Sequence, residues 1–312
     1  VVGGGHAGIE AALALARLQV KTILITQSLD SIGRLSCNPA VGGLSKGNIV
    51  REIDALGGEM AHLIDRTMIQ FRMLNKSRGP AVQAPRAQAD KFAYAQLSKC
   101  TLEQQDNLTL FQDTVTDLIL NKNGSVIEGV VTERGLRIGA KTVVVTTGTF
   151  MEGKIFIGEY TCSSGRLGEP AAVGLGSAFR RLGFSVGRLK TGTPARVAAS
   201  SLDFGKMEEQ LGDPEALPFS FFSDAIRRPN ISCYITYTTE ETHSIIRENM
   251  HRSPLYGGAI VGKGPRYCPS IEDKVVRFPD RERHQIFVEP EGAETEEMYL
   301  NGLSSSLPED VQ

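Results

Sequence analysis

Apolar and polar positions near the start of the chain follow two spacings in turn. A two-residue apolar start precedes the glycines of residues 3–8, and apolar side chains then recur at helical spacing over residues 9–18. Residues 21–26 form a short apolar run. Apolar residues every three to four positions indicate a helix with one buried face, and a short apolar run indicates a buried strand. The order predicts a strand–helix–strand unit of about 30 residues.

The same patterns predict the other elements and an α/β fold class. The predicted helices cover residues 48–63, 90–103, 171–182 and 240–251. The predicted strands cover residues 108–111, 115–120, 126–133, 135–138, 141–149, 232–238 and 285–289. Turn pairs at Asn123-Gly124 and Arg134-Gly135 join three of these strands into a β-meander. Residues 33–47 lack periodicity and contain four glycines and one proline, which predicts a functional loop.

The length of the chain and a change in composition predict two domains. A chain of 312 residues can bury two cores. Prolines at positions 214, 218, 229 and 254 interrupt the short segments of residues 199–262. We therefore predict an inserted second domain at residues 199–262, within a first domain made of residues 1–198 and 263–312. A strand of two residues is short, which predicts that further residues precede Val1 in the natural protein.

Charge is segregated along the chain although the net charge is only −2. Residues 72–91 carry five basic side chains and one acidic one, residues 177–206 carry six and one, and residues 285–312 carry seven acidic and no basic ones. Pro80 and Pro85 break any helix in residues 70–86, which predicts an exposed basic loop suited to phosphates. Local basic surfaces for nucleic acid and ordinary solvated faces both remain open.

Cysteine usage and hydropathy limit the class of protein. The five cysteines, at positions 37, 100, 162, 233 and 268, include no C-x-x-C pair. This spacing argues against a zinc site or a disulfide framework and indicates a reducing compartment such as the cytoplasm. The scattered histidines also lack metal-ligand spacing, so no metal site is predicted. No apolar run reaches the length of a membrane span, and no signal-peptide pattern is visible.

The glycines at positions 3, 5 and 8 fit the dinucleotide-binding pattern G-x-G-x-x-G. Gly3 would form the turn, Gly5 would let a pyrophosphate approach the backbone, and Gly8 would let the helix pack close to the strand. The helix N-terminus would add free N–H groups for the phosphates. A purely structural turn is the alternative. The acidic residue expected about 20 positions on is absent, which leaves Gln27 as a candidate for holding the ribose.

Two cysteines lie in loops with cationic neighbours. Cys37 lies between Arg34 and Lys46 in the glycine-rich loop, and Cys268 lies in a second dense loop at residues 262–274 that also carries Lys274. Positive charge beside a cysteine favours the reactive thiolate. The alternative is that each cysteine packs as a small apolar residue.

Four stretches together carry a resemblance to one family. They are the glycine turn of residues 3–8, Ser-Cys-Asn-Pro-Ala-Val-Gly-Gly at 36–43, Gly-Arg-Leu-Lys-Thr-Gly-Thr-Pro at 187–194, and Pro-Arg-Tyr-Cys-Pro-Ser-Ile-Glu-Asp-Lys at 265–274. The glycine turn is common to many flavoproteins, whereas the two cysteine loops are specific. With these motifs the chain resembles the GidA/MnmG family of tRNA uridine-modifying flavoproteins along all of its residues.

The resemblance implies a fold, an activity and a set of partners. The fold implied is the FAD-binding Rossmann-like fold of the glutathione-reductase type, a parallel sheet with a β-meander. The activity implied uses FAD, NADH and methylenetetrahydrofolate to place a carboxymethylaminomethyl or aminomethyl group on C5 of the wobble uridine of tRNA. A homodimer acting with the GTPase partner MnmE is implied as well. Family members are about twice this length, and their C-terminal half completes the FAD site.

The resemblance also implies roles for individual residues. Cys37 and Cys268 would lie beside the flavin as the catalytic pair. The implied cofactor-binding residues are Gly3, Gly4, Gly5, His6, Ala7, Gly8, Val115, Gly148 and Ala172 for FAD, and Gly264, Arg266, Tyr267 and Lys274 for NADH. The tRNA-binding candidates, from the basic segments, are Arg78, Arg86, Arg188 and Lys190. At Ala172 relatives often have a serine, so only a backbone contact is expected there.

Two competing functions remain. A related folate-dependent tRNA methyltransferase would share the fold and the chemistry, although the Cys-Pro-Ser-Ile-Glu-Asp-Lys loop argues against it. A nucleic-acid-binding or partner-binding module with a vestigial nucleotide fold belongs to a different class and would bind no flavin.

Overall fold

The computed structural model describes residues 1–224, 226, 228–261 and 269–312. The α-helices are α1 (His6–Arg17), α2 (Lys46–Ala55), α3 (Met60–Thr67), α4 (Lys91–Glu103), α5 (Leu175–Arg181), α6 (Glu240–Glu248) and α7 (Ile271–Arg277). The strands are β1 (Thr22–Thr26), β2 (Ala40–Gly42), β3 (Met68–Leu74), β4 (Ala84–Ala89), β5 (Leu108–Gln112), β6 (Val115–Leu120), β7 (Ile127–Thr132), β8 (Arg137–Gly139), β9 (Lys154–Ile157), β10 (Tyr160–Arg166), β11 (Glu169–Pro170), β12 (Pro194–Ala198), β13 (Glu208–Gln210), β14 (Cys233–Tyr237), β15 (Gln285–Pro290) and β16 (Glu297–Ser304).

The predicted strand–helix–strand unit is present at the N-terminal end. Strand β1 pairs in parallel with β5, and the apolar face of α1 packs on them around Leu24. Val2 makes parallel bridges to both Ile25 and Val145. The strand predicted over residues 141–149 is therefore reduced to a single bridge, and Val144 is 37% exposed. The segment that pairs with it, at Val2, turns away from the sheet at Gly3, so the pairing with Val145 ends after one residue.

The predicted β-meander is confirmed. Strands β6, β7 and β8 pair antiparallel in that order. The two turns contain Gly124 at φ +67° and Gly135 at φ +83°, backbone conformations that favour glycine. These turns explain why the hairpin positions could be read from the sequence.

Two predictions for residues 33–86 are wrong. The single helix predicted over residues 48–63 is two helices, α2 and α3, because Gly57 takes φ +86° and Gly58 follows it. The exposed loop predicted over residues 70–86 is mainly the hairpin of β3 and β4, which also pairs with β2. Only its middle, around Arg78, is a connecting loop, and Arg86 lies on β4.

A five-stranded antiparallel sheet occupies the second half of the chain, in the order β12-β16-β15-β14-β13. Strands β13 and β14 come from the predicted insertion at residues 199–262, whereas β12, β15 and β16 come from the predicted first domain. The boundaries at these positions stay a prediction, and the sheet joins strands from both sides of them. Strand β16 was not predicted, because its residues belong to the acidic segment at the end of the chain.

The buried apolar residues form several clusters that hold these layers together. One cluster joins the β2-β3-β4 sheet to α3 and α4, and it includes Phe219 from the predicted insertion. Asp65 on α3 accepts hydrogen bonds from the backbone N–H groups of Phe219 at 2.7 Å and Ser220 at 3.0 Å. In the described part of the chain no helix is both long and apolar enough to cross a membrane.

Candidate active site

The glycine turn at the start of α1 is closed on one side and open on the other. An added Cβ at Gly3, which has φ +105°, would lie 2.6 Å from the Thr146 carbonyl oxygen. An added Cβ at Gly5 would meet no atom within 4 Å. Gly5 has an extended conformation and is the N-cap residue of α1. The N-terminus of the helix therefore faces open space, the arrangement that anion-binding turns use.

The glycine-rich loop begins beside this turn and is hydrogen-bonded to it. The N–H of Gly33 donates to the carbonyl oxygen of Gly4 at 3.0 Å. Gly33 has φ +66°, and a Cβ there would lie 2.6 Å from the Ser98 side chain on α4. The loop that carries Cys37 is thus fixed between the nucleotide-type turn and α4.

The carboxylate of one glutamate binds two arginines and a serine beside this loop. Glu169 on β11 accepts hydrogen bonds from Arg34 at 3.0 Å, Arg166 at 2.8 Å and Ser31 at 3.2 Å. Arg34 was predicted to act on Cys37, but its guanidinium binds Glu169. Since Arg166 also interacts electrostatically with His6, the hairpin of β10 and β11 lies against the glycine turn.

His6 lies at the first position of α1 as a half-buried side chain. Burial, and secondly the positive charge of Arg166, hold the pKa of His6 below its ordinary value. Its ring makes an edge contact with Tyr94 at 5.7 Å between centroids. His6 Nδ1 is buried and has no hydrogen-bond partner among the described residues. A neutral ring at this position keeps positive charge off the turn and leaves one nitrogen for a ligand.

Cys37 is exposed among the described residues. Its Sγ lies 3.2 Å from the Tyr299 hydroxyl, at hydrogen-bond distance for sulfur. Tyr299 is only 1% exposed and lies on β16. The Arg196 guanidinium stacks on the Tyr299 ring at 4.9 Å and donates to the Ser36 carbonyl oxygen at 2.9 Å. The Cys37 thiol is therefore exposed and lies at hydrogen-bond distance from the hydroxyl of a buried ring.

Buried carboxylates lie behind this ring. Arg196 pairs with Glu291 at 3.0 Å, and Lys91 pairs with the same carboxylate. Glu289 pairs with Arg86 and accepts from Asn301 at 3.5 Å. Burial raises the pKa of Glu289 although Arg86 opposes the shift.

Burial lowers the pKa of Lys91, although the hydrogen bond and the negative charge of Glu297 act to raise it. Burying charges is costly unless they are paired, and here Glu289, Glu291 and Glu297 each have a cationic partner.

Comparison with known proteins identifies the family. The family model described as "Glucose inhibited division protein A" matches residues 1–312. The chain belongs to the GidA family.

Among the relatives of this GidA-family chain are proteins named "tRNA uridine 5-carboxymethylaminomethyl modification enzyme MnmG". The one from Borreliella burgdorferi strain ZS7 is 67% identical over 312 residues, which are 100% of this chain and 50% of that protein. The one from Treponema denticola is 63% identical over 319 residues, 100% of this chain and 51% of that protein. The chain therefore spans about half the length of the curated relatives it matches.

Two solved structures of Aquifex aeolicus GidA share the fold. In the form I crystal the identity is 54% and the TM-score is 0.93, with 99% of this chain and 52% of that chain covered. In the form II crystal the values are 51% and 0.91, with 99% and 50% covered. The α/β architecture of the GidA family is thus established for this chain.

The other predicted FAD residues, Gly148, Val115 and Ala172, differ in how accessible they are to a ligand. Gly148, at φ +56°, also has open space where a Cβ would lie. Val115 is buried at the start of β6. Both backbone groups of Ala172 are already used, since its N–H donates to Phe150 and its carbonyl oxygen accepts from Glu152, each at 2.8 Å. The backbone contact expected at Ala172 would therefore have to use a second lone pair.

Of the predicted NADH residues the structure describes Lys274, and the predicted tRNA residues lie partly on β4 and partly in loops. Gly264, Arg266, Tyr267 and Cys268 lie outside the described residues. Lys274 on α7 donates to the Gly302 carbonyl oxygen at 2.7 Å. Arg188 is exposed and donates to the Glu152 carbonyl oxygen at 3.1 Å, whereas Lys190 Nζ is buried.

Sequence reasoning missed Tyr299, Arg196, Glu289 and Glu291. All four lie on strands of the five-stranded sheet or directly after one. The alternation of Glu289 and Glu291 with apolar residues predicts a strand in this segment, whereas the burial of both acids is seen only in the structure.

Proposed function

We propose that this GidA-family chain is the FAD-binding and uridine-presenting part of a tRNA-modifying enzyme. The relatives that cover it completely are named as tRNA uridine modification enzymes. The proposed reaction adds a carboxymethylaminomethyl or aminomethyl group to C5 of the wobble uridine, with methylenetetrahydrofolate as carbon donor and NADH as reductant. The observation that carries the proposal is the open glycine turn at Gly5, next to the loop that presents Cys37.

The residues present at the turn fit FAD. The cradle in front of α1 is open at Gly5 and would be filled by a side chain there. Free N–H groups and the positive end of the helix dipole favour a diphosphate at this point. Gly4 and Ala7 lie close to Gly5 in sequence, and Gly148 follows Thr146, whose carbonyl oxygen faces Gly3. When bound, FAD would supply the electron-transfer chemistry that neither thiol can supply.

Cys37 is proposed to act as a thiolate on the uridine ring. C5 of uridine is a poor nucleophile, so one thiolate of the pair Cys37 and Cys268 forms a bond to C6, and the C5–C6 π electrons shift toward C5 and O4. C5 then bonds to the methylene carbon of the folate donor, whose bond to a folate nitrogen breaks with the electron pair going to that nitrogen. The other cysteine, as its thiolate, or a nearby base removes the C5 proton, and the first thiolate leaves C6 as the C5–C6 double bond forms again. Cys268 is favoured as one of the pair because Arg266 and Tyr267 adjoin it in sequence.

tRNA is the proposed macromolecular substrate. Arg78 and Arg188 are exposed and can reach phosphates without losing a buried partner. Arg86 pairs with Glu289 and Lys190 Nζ is buried, so both must rearrange if they contact tRNA. The proposal extends to an NADH contact at Gly264, Arg266, Tyr267 and Lys274, to a homodimer, to the GTPase partner MnmE and to a cytoplasmic location.

An absorbance spectrum of the complete purified protein tests the proposal directly. Bound FAD gives the absorption bands of oxidised flavin, and NADH should bleach them without oxygen. Mass analysis of nucleosides from treated tRNA then separates the carboxymethylaminomethyl product from the methyl product of a folate-dependent methyltransferase. A colourless, folded protein that binds tRNA would instead support the vestigial binding module.

A further inference from the structure

Tyr299 occupies the centre of a cross-strand arrangement that no part of the proposed reaction yet uses. Its neighbours in register are Arg196 on β12 and Glu289 on β15. Its ring is buried, but its hydroxyl reaches out of the sheet to Cys37 Sγ at 3.2 Å. A buried tyrosine normally finds a partner for its hydroxyl, and here that partner is the exposed thiol.

We propose that Tyr299 is a positioning residue for Cys37, donating a hydrogen bond to its thiolate and fixing the direction of Sγ. This inference rests on the proposed role of Cys37 in tRNA modification. A donor aimed at a thiolate favours the charged form and limits the rotamers of the side chain. The hydrogen bond from Tyr299 would help Cys37 whether Cys37 acts as the nucleophile or as the base of the cysteine pair.

Toward a Cys37 thiolate the direction of this hydrogen bond is fixed, because a thiolate can only accept. Burial is the main cause that raises the pKa of Tyr299, so the phenol keeps its proton at neutral pH and can donate it. The charged groups that face it are Arg196 and Glu289, which act in opposite directions. The phenol thus remains neutral over the range in which a thiol titrates.

Arg196 holds both partners of this contact. It stacks on the Tyr299 ring and donates to the carbonyl oxygen of Ser36, the residue before Cys37. Its own position is set by the ion pair with the fully buried Glu291. One guanidinium therefore ties the ring and the thiol loop together, which explains how an exposed loop can keep a defined Sγ position.

The test uses Tyr299→Phe in the complete protein and the rate of alkylation of Cys37 by iodoacetamide against pH, read by mass spectrometry. Without the phenol donor the midpoint should move to higher pH by roughly one unit, and labelling at pH 7 should fall about tenfold. Cys100 in the same sample is the internal reference. Tyr234→Phe is the matched control, because Tyr234 lies in the same sheet and its ring contacts Phe204.

An alkylation profile of Tyr299→Phe that overlays the parent profile overturns the proposal. If Tyr299→Phe fails to fold, Arg196→Lys is measured instead, since it keeps a charge for Glu291 but loosens the stacked ring, and it should shift the midpoint in the same direction. The profile needs no tRNA. A shifted profile together with full tRNA modification by Cys37→Ser would uphold the hydrogen bond and reject the catalytic role of Cys37.

Discussion

A Cβ added to Gly8 would lie 1.8 Å from the carbonyl oxygen of Gly3, closer than any real contact. The helix and the turn that precedes it therefore touch through backbone alone. The same substitution at Gly5 meets nothing within 4 Å. Gly8 is therefore needed for the packing of the helix on the turn, whereas Gly5 leaves the turn accessible to a ligand.

Gly8→Ala should destabilise the fold, whereas Gly5→Ala should leave the fold intact and lower FAD content. The first forces α1 off its turn, at a cost of roughly 3 kcal/mol or more. The second places a methyl group where the diphosphate must approach. Thermal unfolding without added cofactor and flavin content per chain separate the two effects.

Gly79→Ala is the control for Gly5→Ala, because Gly79 also has negative φ and open space around it. Unchanged flavin content in a folded Gly5→Ala protein would show that the diphosphate lies elsewhere.

Acid should weaken the five-stranded sheet region through His284. Burial first, and then the charges of His243, Lys274 and Arg281, lower the pKa of His284 in the folded state. A lowered pKa means that the unfolded chain binds the proton more tightly. The stability is therefore present above about pH 6.5, the unfolded value, and is lost as pH falls through the lower folded pKa.

The unfolding temperature measured from pH 7.5 to pH 5 should fall less steeply for His284→Asn than for the parent protein. His251→Asn serves as the control, since His251 is exposed and hydrogen-bonded locally to the Glu248 backbone. Parallel curves for parent and His284→Asn would assign the acid sensitivity to other groups.

The salt dependence of tRNA binding tests the basic residues. Arg78→Gln and Arg188→Gln should each weaken binding and reduce the slope of log K against log salt by about one unit per lost phosphate contact. Both side chains are exposed. Lys122→Gln is the control, because Lys122 is an exposed cation on the meander turn, away from both basic segments. A slope that stays the same would remove that arginine from the interface.

The parts of the fold that sequence could predict are those controlled by local chemistry. Asn123-Gly124 and Arg134-Gly135 require left-handed turns, so the meander was predictable. The break between α2 and α3 could also have been found, since Gly57-Gly58 interrupts the helical spacing. Strand β16 pairs with its sequence neighbour β15 and with β12, which lies far along the chain, and no local signal reports the pairing with β12.

The candidate site divides in the same way. The open turn at Gly5 and the exposed position of Cys37 follow from motifs of adjacent residues. The contact between Cys37 and Tyr299 joins residues 262 positions apart. Arg34 shows that closeness in sequence does not establish a contact, because its guanidinium pairs with Glu169 and not with Cys37.

Cysteine-to-serine variants test the covalent mechanism. Serine keeps the size of the side chain but is a far weaker nucleophile at neutral pH. Cys37→Ser and Cys268→Ser should each lose tRNA modification by at least about a hundredfold while retaining FAD binding and NADH oxidation. Cys100→Ser is the control, because Cys100 lies on α4 and belongs to neither cysteine loop in the sequence. The measurements are flavin content, NADH oxidation rate and modified uridine per tRNA.

Near-parental modification by both variants would exclude covalent catalysis by these thiols. Loss of FAD along with modification would instead show that the cysteines pack against the flavin.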